Sequence, residues 1–162
     1  MLTPPFCRKK ERKRIELINI NDQIFLSCEF GDDAVRGIKE EGFDAVIDLR
    51  AEAFDNESLI RECGMEFFHA SIVDHGNPTL DCLESIFGFV DPFLDAGKKI
   101  LIHCKNGTGR APLVAIAVLA HRSAALSAAV ALVEAQHPDI GFSEVQKRFI
   151  EHKLARFLRS GR

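Results

Sequence analysis

Short runs of apolar residues punctuate the chain, and stretches with apolar positions at helical spacing separate them. QIFLSC (23–28), DAVIDL (44–49), EFFHAS (66–71) and KILIH (99–103) predict strands. The last shows no polar alternation, which predicts a strand buried on both faces. A short helix is expected after the first strand, opening at Asp32 or Asp33 and closing near Gly42. A longer one spans Thr79 to Ala96 and carries Leu80, Leu83, Ile86, Phe87, Val90, Phe93 and Leu94 at helical spacing. Pro92 is expected to bend or weaken its last turn, and Gly97 to end it. The stretch from Gly109 to His121 is apolar nearly all round and predicts a central, buried helix. Another helix covers Leu126 to Gln136 and stops before Pro138. The last opens at Ser143 with Gln146 three residues on, a capping-box pair, and is expected to pack Val145, Phe149, Leu154 and Phe157 inward.

Strands interleaved with helices define an α/β fold: a single-domain, three-layer-type sandwich with a central, mostly parallel sheet of about four or five strands. Residues 1–19 are read as a basic N-terminal tail, partly disordered, and residues 20–162 as the folded domain. The tail holds RKKERKR at residues 8–14, either a solvated terminus or a docking run for acidic partners or anionic lipid. Membrane contact is open only through that run, since the longest apolar stretch, Ala111 to Ala120, is too short to span a bilayer. A net charge of -3 gives no global attraction for nucleic acid, so any anion site must be local. The N-terminus lacks the apolar core of a signal peptide, and a cytoplasmic location is expected. Cys7, Cys28, Cys63, Cys82 and Cys104 show neither C-x-x-C pairing nor metal-ligand spacing with histidine, which argues for free thiols and no bound metal.

The most informative segment is KKILIHCKNGTGRAP, residues 98–112. A buried strand ends at His103, a loop of small and polar residues follows, and a buried helix starts at once. In a parallel sheet such a junction turns the backbone N–H groups of the loop and first helical turn toward one spot, which suits an anion. Gly107 and Gly109 let the backbone curl closely around it. Cys104 stands beneath the converging N–H groups, a setting that favours the thiolate nucleophile. Arg110 offers a planar fork for two phosphate oxygens. His103 is expected to fix the loop beneath the cysteine by hydrogen bonds, and Lys105, Asn106, Gly107, Thr108 and Gly109 to line the phosphate site.

HCKNGTGR resembles the His-Cys-x5-Arg signature of the protein tyrosine phosphatase superfamily, particularly the small dual-specificity phosphatases. VIDLRAE (46–52) is similar to that family's early strand, and QHPDIGFSEVQKRFIEHKL (136–154) to its closing helical region. The resemblance implies hydrolysis of phosphoric monoesters through a phospho-cysteine, without a cofactor. It also implies an upstream aspartate that protonates the leaving group, and Asp74, in SIVDHGNPT and 30 positions before Cys104, is the match. His75 is a second donor to consider, and Asp81 is less well placed. One position departs from the family: the residue after the arginine is usually Ser or Thr, and here it is Ala111. The missing hydroxyl would support the sulfur as it leaves phospho-cysteine, so Ala111 bears on the second chemical step.

The expected substrate is phosphoprotein, on Ser, Thr or Tyr, taken into a shallow, permissive pocket; a small phosphate monoester is also open. The chain has no Trp or Tyr and so no tyrosine-bearing recognition loop. Lys105 resembles phosphoinositide-type members, which leaves phosphoinositide or inositol phosphate as an alternative. Two further classes remain at this point: a phosphate-binding pseudo-phosphatase, suggested by Ala111, and a rhodanese-like sulfurtransferase, whose fold also sets a cysteine on a strand-to-helix loop.

Overall fold

Branched and aromatic side chains build one five-stranded sheet in the computed structural model, which describes residues 14–161. Across the sheet run β1 (Ile18–Asn19), β2 (Ile24–Ser27), β5 (Lys99–His103), β3 (Phe43–Arg50) and β4 (Glu66–Ile72). The short β1 is antiparallel to β2, and the other three pairings are parallel. β5 lies between β2 and β3, and its residues from Ile100 to His103 are all buried.

Strand alternation divides the core between the two faces. Ile24, Leu26, Ala45, Ile47, Ile100 and Ile102 belong to one cluster, with α3 (Leu80–Asp95), α4 (Arg110–Arg122), α5 (Leu126–Gln136) and the C-terminal helical segment. Phe43, Val46, Phe67 and Leu101 belong to the other, with α1 (Asp32–Glu40) and α2 (Glu57–Glu62). The sheet is therefore covered on both sides, which its parallel, apolar strands require. Ile15 and Leu17 pack against the second cluster, whereas residues 8–13 of the basic run lie outside the described residues.

Local signals set the helix ends. The Thr79 side chain accepts the N–H of Cys82 and starts α3. α3 continues through Pro92 with its last turn formed, because Ala96 still bonds the Pro92 carbonyl at 3.2 Å. Gly97 (φ 71) then takes the left-handed conformation that lets Lys98 N–H close on Phe93 O at 2.9 Å. The capping box at Ser143 and Gln146 opens α6 (Glu144–Arg148). A π-helical turn, Phe149–Leu154, follows directly and passes into α7 (Ala155–Ser160). One expectation is corrected: Phe149 and Leu154 are buried, but Val145 is 58% exposed. The inward position on the N-terminal side is taken by Gln146, whose amide bonds Gly76 O and packs beside Gly109.

One polar feature penetrates this core. Asp48, fully buried on β3, accepts Arg50 Nε and Nη2, each at 2.9 Å, together with the backbone N–H groups of Arg50 and Asp55. Burial raises the carboxyl's pKa, but the Arg50 bonds and the nearby His103 outweigh it and hold Asp48 below the usual aspartate value. The stability from this depressed pKa is present above the unfolded-state value and lost as pH falls through the folded one. Arg50→Met should strand Asp48 and Asp55 as buried anions and cost about 3–5 kcal/mol, read from the urea midpoint near neutral pH. The deficit should shrink as the pH is lowered and protonation neutralises the stranded carboxylates; a deficit constant with pH would contradict this account.

Candidate active site

Continuing the alternation of β5 turns His103 and Cys104 to opposite faces. The Cys104 side chain joins the cluster under α4, while the His103 ring lies against Phe30 on the other side. Residues 104–109 connect β5 to α4 and curl tightly. Gly107 (φ 73) is left-handed, and a Cβ there would lie 3.0 Å from the carbonyl of Ser27, so the loop backbone rests on the end of β2. From that seat Gly107 N–H points at Cys104 Sγ, 3.2 Å away. The loop is clamped from outside as well. His137 Nε2 donates to Gly107 O at 2.7 Å, Gly141 N–H to Thr108 O at 2.9 Å, and Glu29 N–H to Lys105 O at 3.0 Å. Lys105 and Asn106 are exposed, and Thr108 and Gly109 half-buried.

Arg110 opens α4 and is only 2% exposed. Its Nη1 donates to Ile72 O at 2.9 Å, and Nη1 and Nη2 grip the two carboxylate oxygens of Glu52 at 2.8 and 2.7 Å. This bidentate pair holds Glu52 down at a pKa of about 2, against the smaller opposing effect of burial. Glu52 therefore stays ionised through any ordinary assay range and keeps the guanidinium oriented. Glu52 takes the Nη1/Nη2 edge of the guanidinium.

Asp74 lies between β4 and α3 with its Oδ1 3.3 Å from Arg110 Nη2. The same oxygen accepts His75 N–H at 3.0 Å, and His75 itself sits at φ 60. Two bonds from α6 and its cap tie this loop down: Ser143 Oγ donates to His75 O at 2.7 Å and Gln146 Nε2 to Gly76 O at 2.9 Å. Gln146 also fills the space beside Gly109, where a Cβ would come within 3.3 Å of its amide. A buried amide thus bridges the Asp74 loop and the phosphate loop.

Asp74 is brought to Arg110 and the loop that carries Cys104, whereas Asp81 lies in the first turn of α3. The His103 ring is wholly buried and bonds Asp55 at 2.6 Å, so it braces the phosphate loop from outside and not through bonds within it. Sequence reasoning missed Glu52, Asp55, His137 and Gln146; only the capping-box spacing marked Gln146 at all. Asp48, Asp55 and His103 place ligand atoms within 4.8 Å of one another, but the Arg50 guanidinium already pairs with both carboxylates.

Fold and site together define a cysteine-based phosphatase. Residues 23–124 match the family described as "Tc-R-P: Polymorphic toxin system, DSP-PTPase phosphatase", and the chain belongs to that family. The structure of Tk-PTP in its active form is 25% identical, with 86% of this chain and 96% of that one covered and a TM-score of 0.76. PTPMT1 in complex with PI(5)P is 20% identical, covers 89% and 95% of the two chains, and has a TM-score of 0.77. A variant of human DUSP28 is 19% identical, with coverage of 90% and 98% and a TM-score of 0.72. The last two likenesses speak to the fold. No curated protein matches the chain.

Ala111 is fully buried in the first turn of α4, and the hydrogen bond to the sulfur comes from Gly107 N–H. Thr108 bonds through its carbonyl. Gly107 N–H is the one hydrogen-bond donor on the sulfur among the described residues. If Cys104 is the nucleophile, its phospho-cysteine should break down more slowly than it forms, and rapid mixing with an activated aryl phosphate should show a phenolate burst. Ala111→Ser should add a second donor, worth about 1.5–3 kcal/mol to a developing thiolate, shrink the burst and raise the steady-state rate. No burst in the wild type and no change in the variant would show that Gly107 N–H suffices.

Proposed function

We propose that the chain hydrolyses phosphoric monoesters of proteins through a phospho-cysteine, with Cys104 as nucleophile, Arg110 as phosphate clamp and Asp74 as general acid. The observation that carries this reading is the convergence of the three: Arg110 Nη2 lies 3.3 Å from Asp74 Oδ1, beside a loop whose Gly107 N–H points at Cys104 Sγ. In the first step the thiolate forms the S–P bond as the P–O bond to the leaving group breaks, and Asp74 gives that oxygen its proton. In the second, water attacks phosphorus, Asp74 takes the water's proton, and the S–P electron pair returns to Cys104. Arg110 and the amides of residues 105–110 hold the equatorial oxygens throughout, with the backbone dipoles fixed before reaction.

Phosphoprotein is favoured over inositol phosphates by the charge around the loop. Lys105 and Arg110 are the basic side chains of residues 104–110, and the carboxylates of Glu52 and Asp74 stand beside Arg110. A ligand with several phosphates meets repulsion there, while a peptide presents one dianion. Exposed Phe54 (77%) and Val73 (71%), two residues after Glu52 and one before Asp74, offer apolar contact to a peptide. The free thiols of Cys28, Cys63, Cys82 and Cys104 suit a reducing compartment, and we infer action in the cytoplasm. Among the described residues no helix is long and apolar enough to cross a membrane. The family's description sets such domains in polymorphic toxin systems, where the same activity would act on phosphoproteins of the cell that receives it.

Cys104→Ser should abolish turnover of para-nitrophenyl phosphate while still binding vanadate, because the loop amides and Arg110 remain; residual activity above a few per cent would sink the assignment. Asp74→Asn should slow esters with poor leaving groups by roughly 100-fold or more and spare those with acidic ones. The basic limb of its pH–rate profile should flatten, and an unchanged limb would move the acid role elsewhere.

A further inference from the structure

The connection between β3 and α2 reaches both halves of the site. Glu52 grips Arg110, and three residues later the chain turns a second carboxylate, that of Asp55, against His103. Asp55 is buried, with a side chain 3% exposed. Its Oδ1 accepts Arg50 Nη2 at 2.9 Å, its backbone N–H donates to Asp48 Oδ2 at 2.9 Å, and its Oδ2 meets His103 Nε2 at 2.6 Å. The carboxylate is thus immobilised before it touches the ring.

The ring has little else to orient it. His103 is fully buried and stacks obliquely on Phe30, with centroids 4.6 Å apart. Its Nδ1 is the one buried side-chain nitrogen or oxygen among the described residues with no hydrogen-bond partner. The bond to Asp55 therefore sets the ring's rotation and makes Nε2 the nitrogen that carries the proton. A buried polar atom left unpaired is costly, and an apolar residue at position 103 would avoid that cost. Its retention next to Cys104 points to a task in the site.

We propose that Asp55 is a positioning residue of the reaction, acting through His103 to aim Cys104. The ring is anchored to the last residue of β5, so its tilt is passed on to the peptide that carries Cys104 and to the direction in which Sγ leaves the sheet. Oxyanion affinity depends on a different set of groups, Arg110 with Glu52 and the loop amides. Loss of Asp55 should therefore separate the two properties, harming attack and sparing binding. The inference rests on the reading of Cys104 as nucleophile.

The test compares Asp55→Asn, His103→Gln and the double variant by kcat on para-nitrophenyl phosphate, the inhibition constant of vanadate, and the rate of Cys104 alkylation by iodoacetate across pH. Asp55→Asn should lower kcat by roughly 10- to 100-fold, the range expected when a reacting atom is misplaced by about an ångström. It should also displace the alkylation profile, and vanadate inhibition should change far less than kcat. If Asp55 acts through His103, the double variant should be no slower than the worse single one. Unchanged kcat in Asp55→Asn, multiplicative losses in the double variant, or a kcat loss equal to the unfolded fraction by circular dichroism would each overturn the proposal. Should Asp55→Asn fail to fold, Asp55→Glu keeps the charge beside Arg50 while displacing the acceptor, and the same split between kcat and vanadate decides. Turnover surviving in Cys104→Ser would sink the nucleophile assignment itself, whereas a dead Cys104→Ser beside an unaltered Asp55→Asn would sink this inference alone.

Discussion

A guanidinium bound between two buried aspartates organises the catalytic edge of the sheet. Arg50 bonds Asp48 and Asp55 through the same Nη2, and Asp48 in turn accepts the backbone N–H of Asp55. These contacts fold residues 51–55 back over the end of β3. Pairs of this kind seldom add net stability, because desolvating the ions offsets their attraction. What they supply here is geometry. Once the connection is closed, Glu52 lies against Arg110 and Asp55 against His103, and both flanks of the phosphate loop are held by one short segment.

The same segment reconciles two electrostatic demands. A phosphate dianion needs a positive, dehydrated site, yet an unpaired buried guanidinium is expensive. Glu52 neutralises Arg110 from one edge and is itself partly exposed, so solvent moderates its charge. The guanidinium is thereby held in one orientation. The chain as a whole carries a charge of -3, so any attraction for an anion is local.

Legibility in the sequence followed the range of the interactions. The strand KILIH, the glycine-containing loop and the apolar helix behind it are adjacent in sequence, so their pattern announced the α/β class and the phosphatase family. The capping box at Ser143 and the stop at Gly97 are equally local and were readable. β1 has two residues and α2 six, too few for periodicity to register. Glu52 and Arg110 are 58 positions apart, Asp55 and His103 48, and His137 and Gly107 30. Nothing near those side chains signalled their partners; an acid pair just beyond a strand ending in Asp-Leu-Arg was the available hint. The inward placement of Val145 failed for another reason: the side of the helix that faces Gly76 and Gly109 calls for an amide, and Gln146 takes it.

The uneven winding after α6 has a consequence for how the chain tolerates change in length. Each residue of an α-helix advances about 100° around the axis. The π-helical turn at Phe149–Leu154 stores one residue more than a regular helix would, and the two ends serve different clients: Gln146 the Asp74 and phosphate loops, Phe149 and Leu154 the core. Excising one residue from the turn would regularise the helix and leave the core side chains seated. Gln146, three residues before Phe149 in the regular part of the helix, would keep its place against Gly76 and Gly109. The wide turn is therefore slack in the helix: it can give up a residue without unseating either the core or the amide that ties down the Asp74 loop.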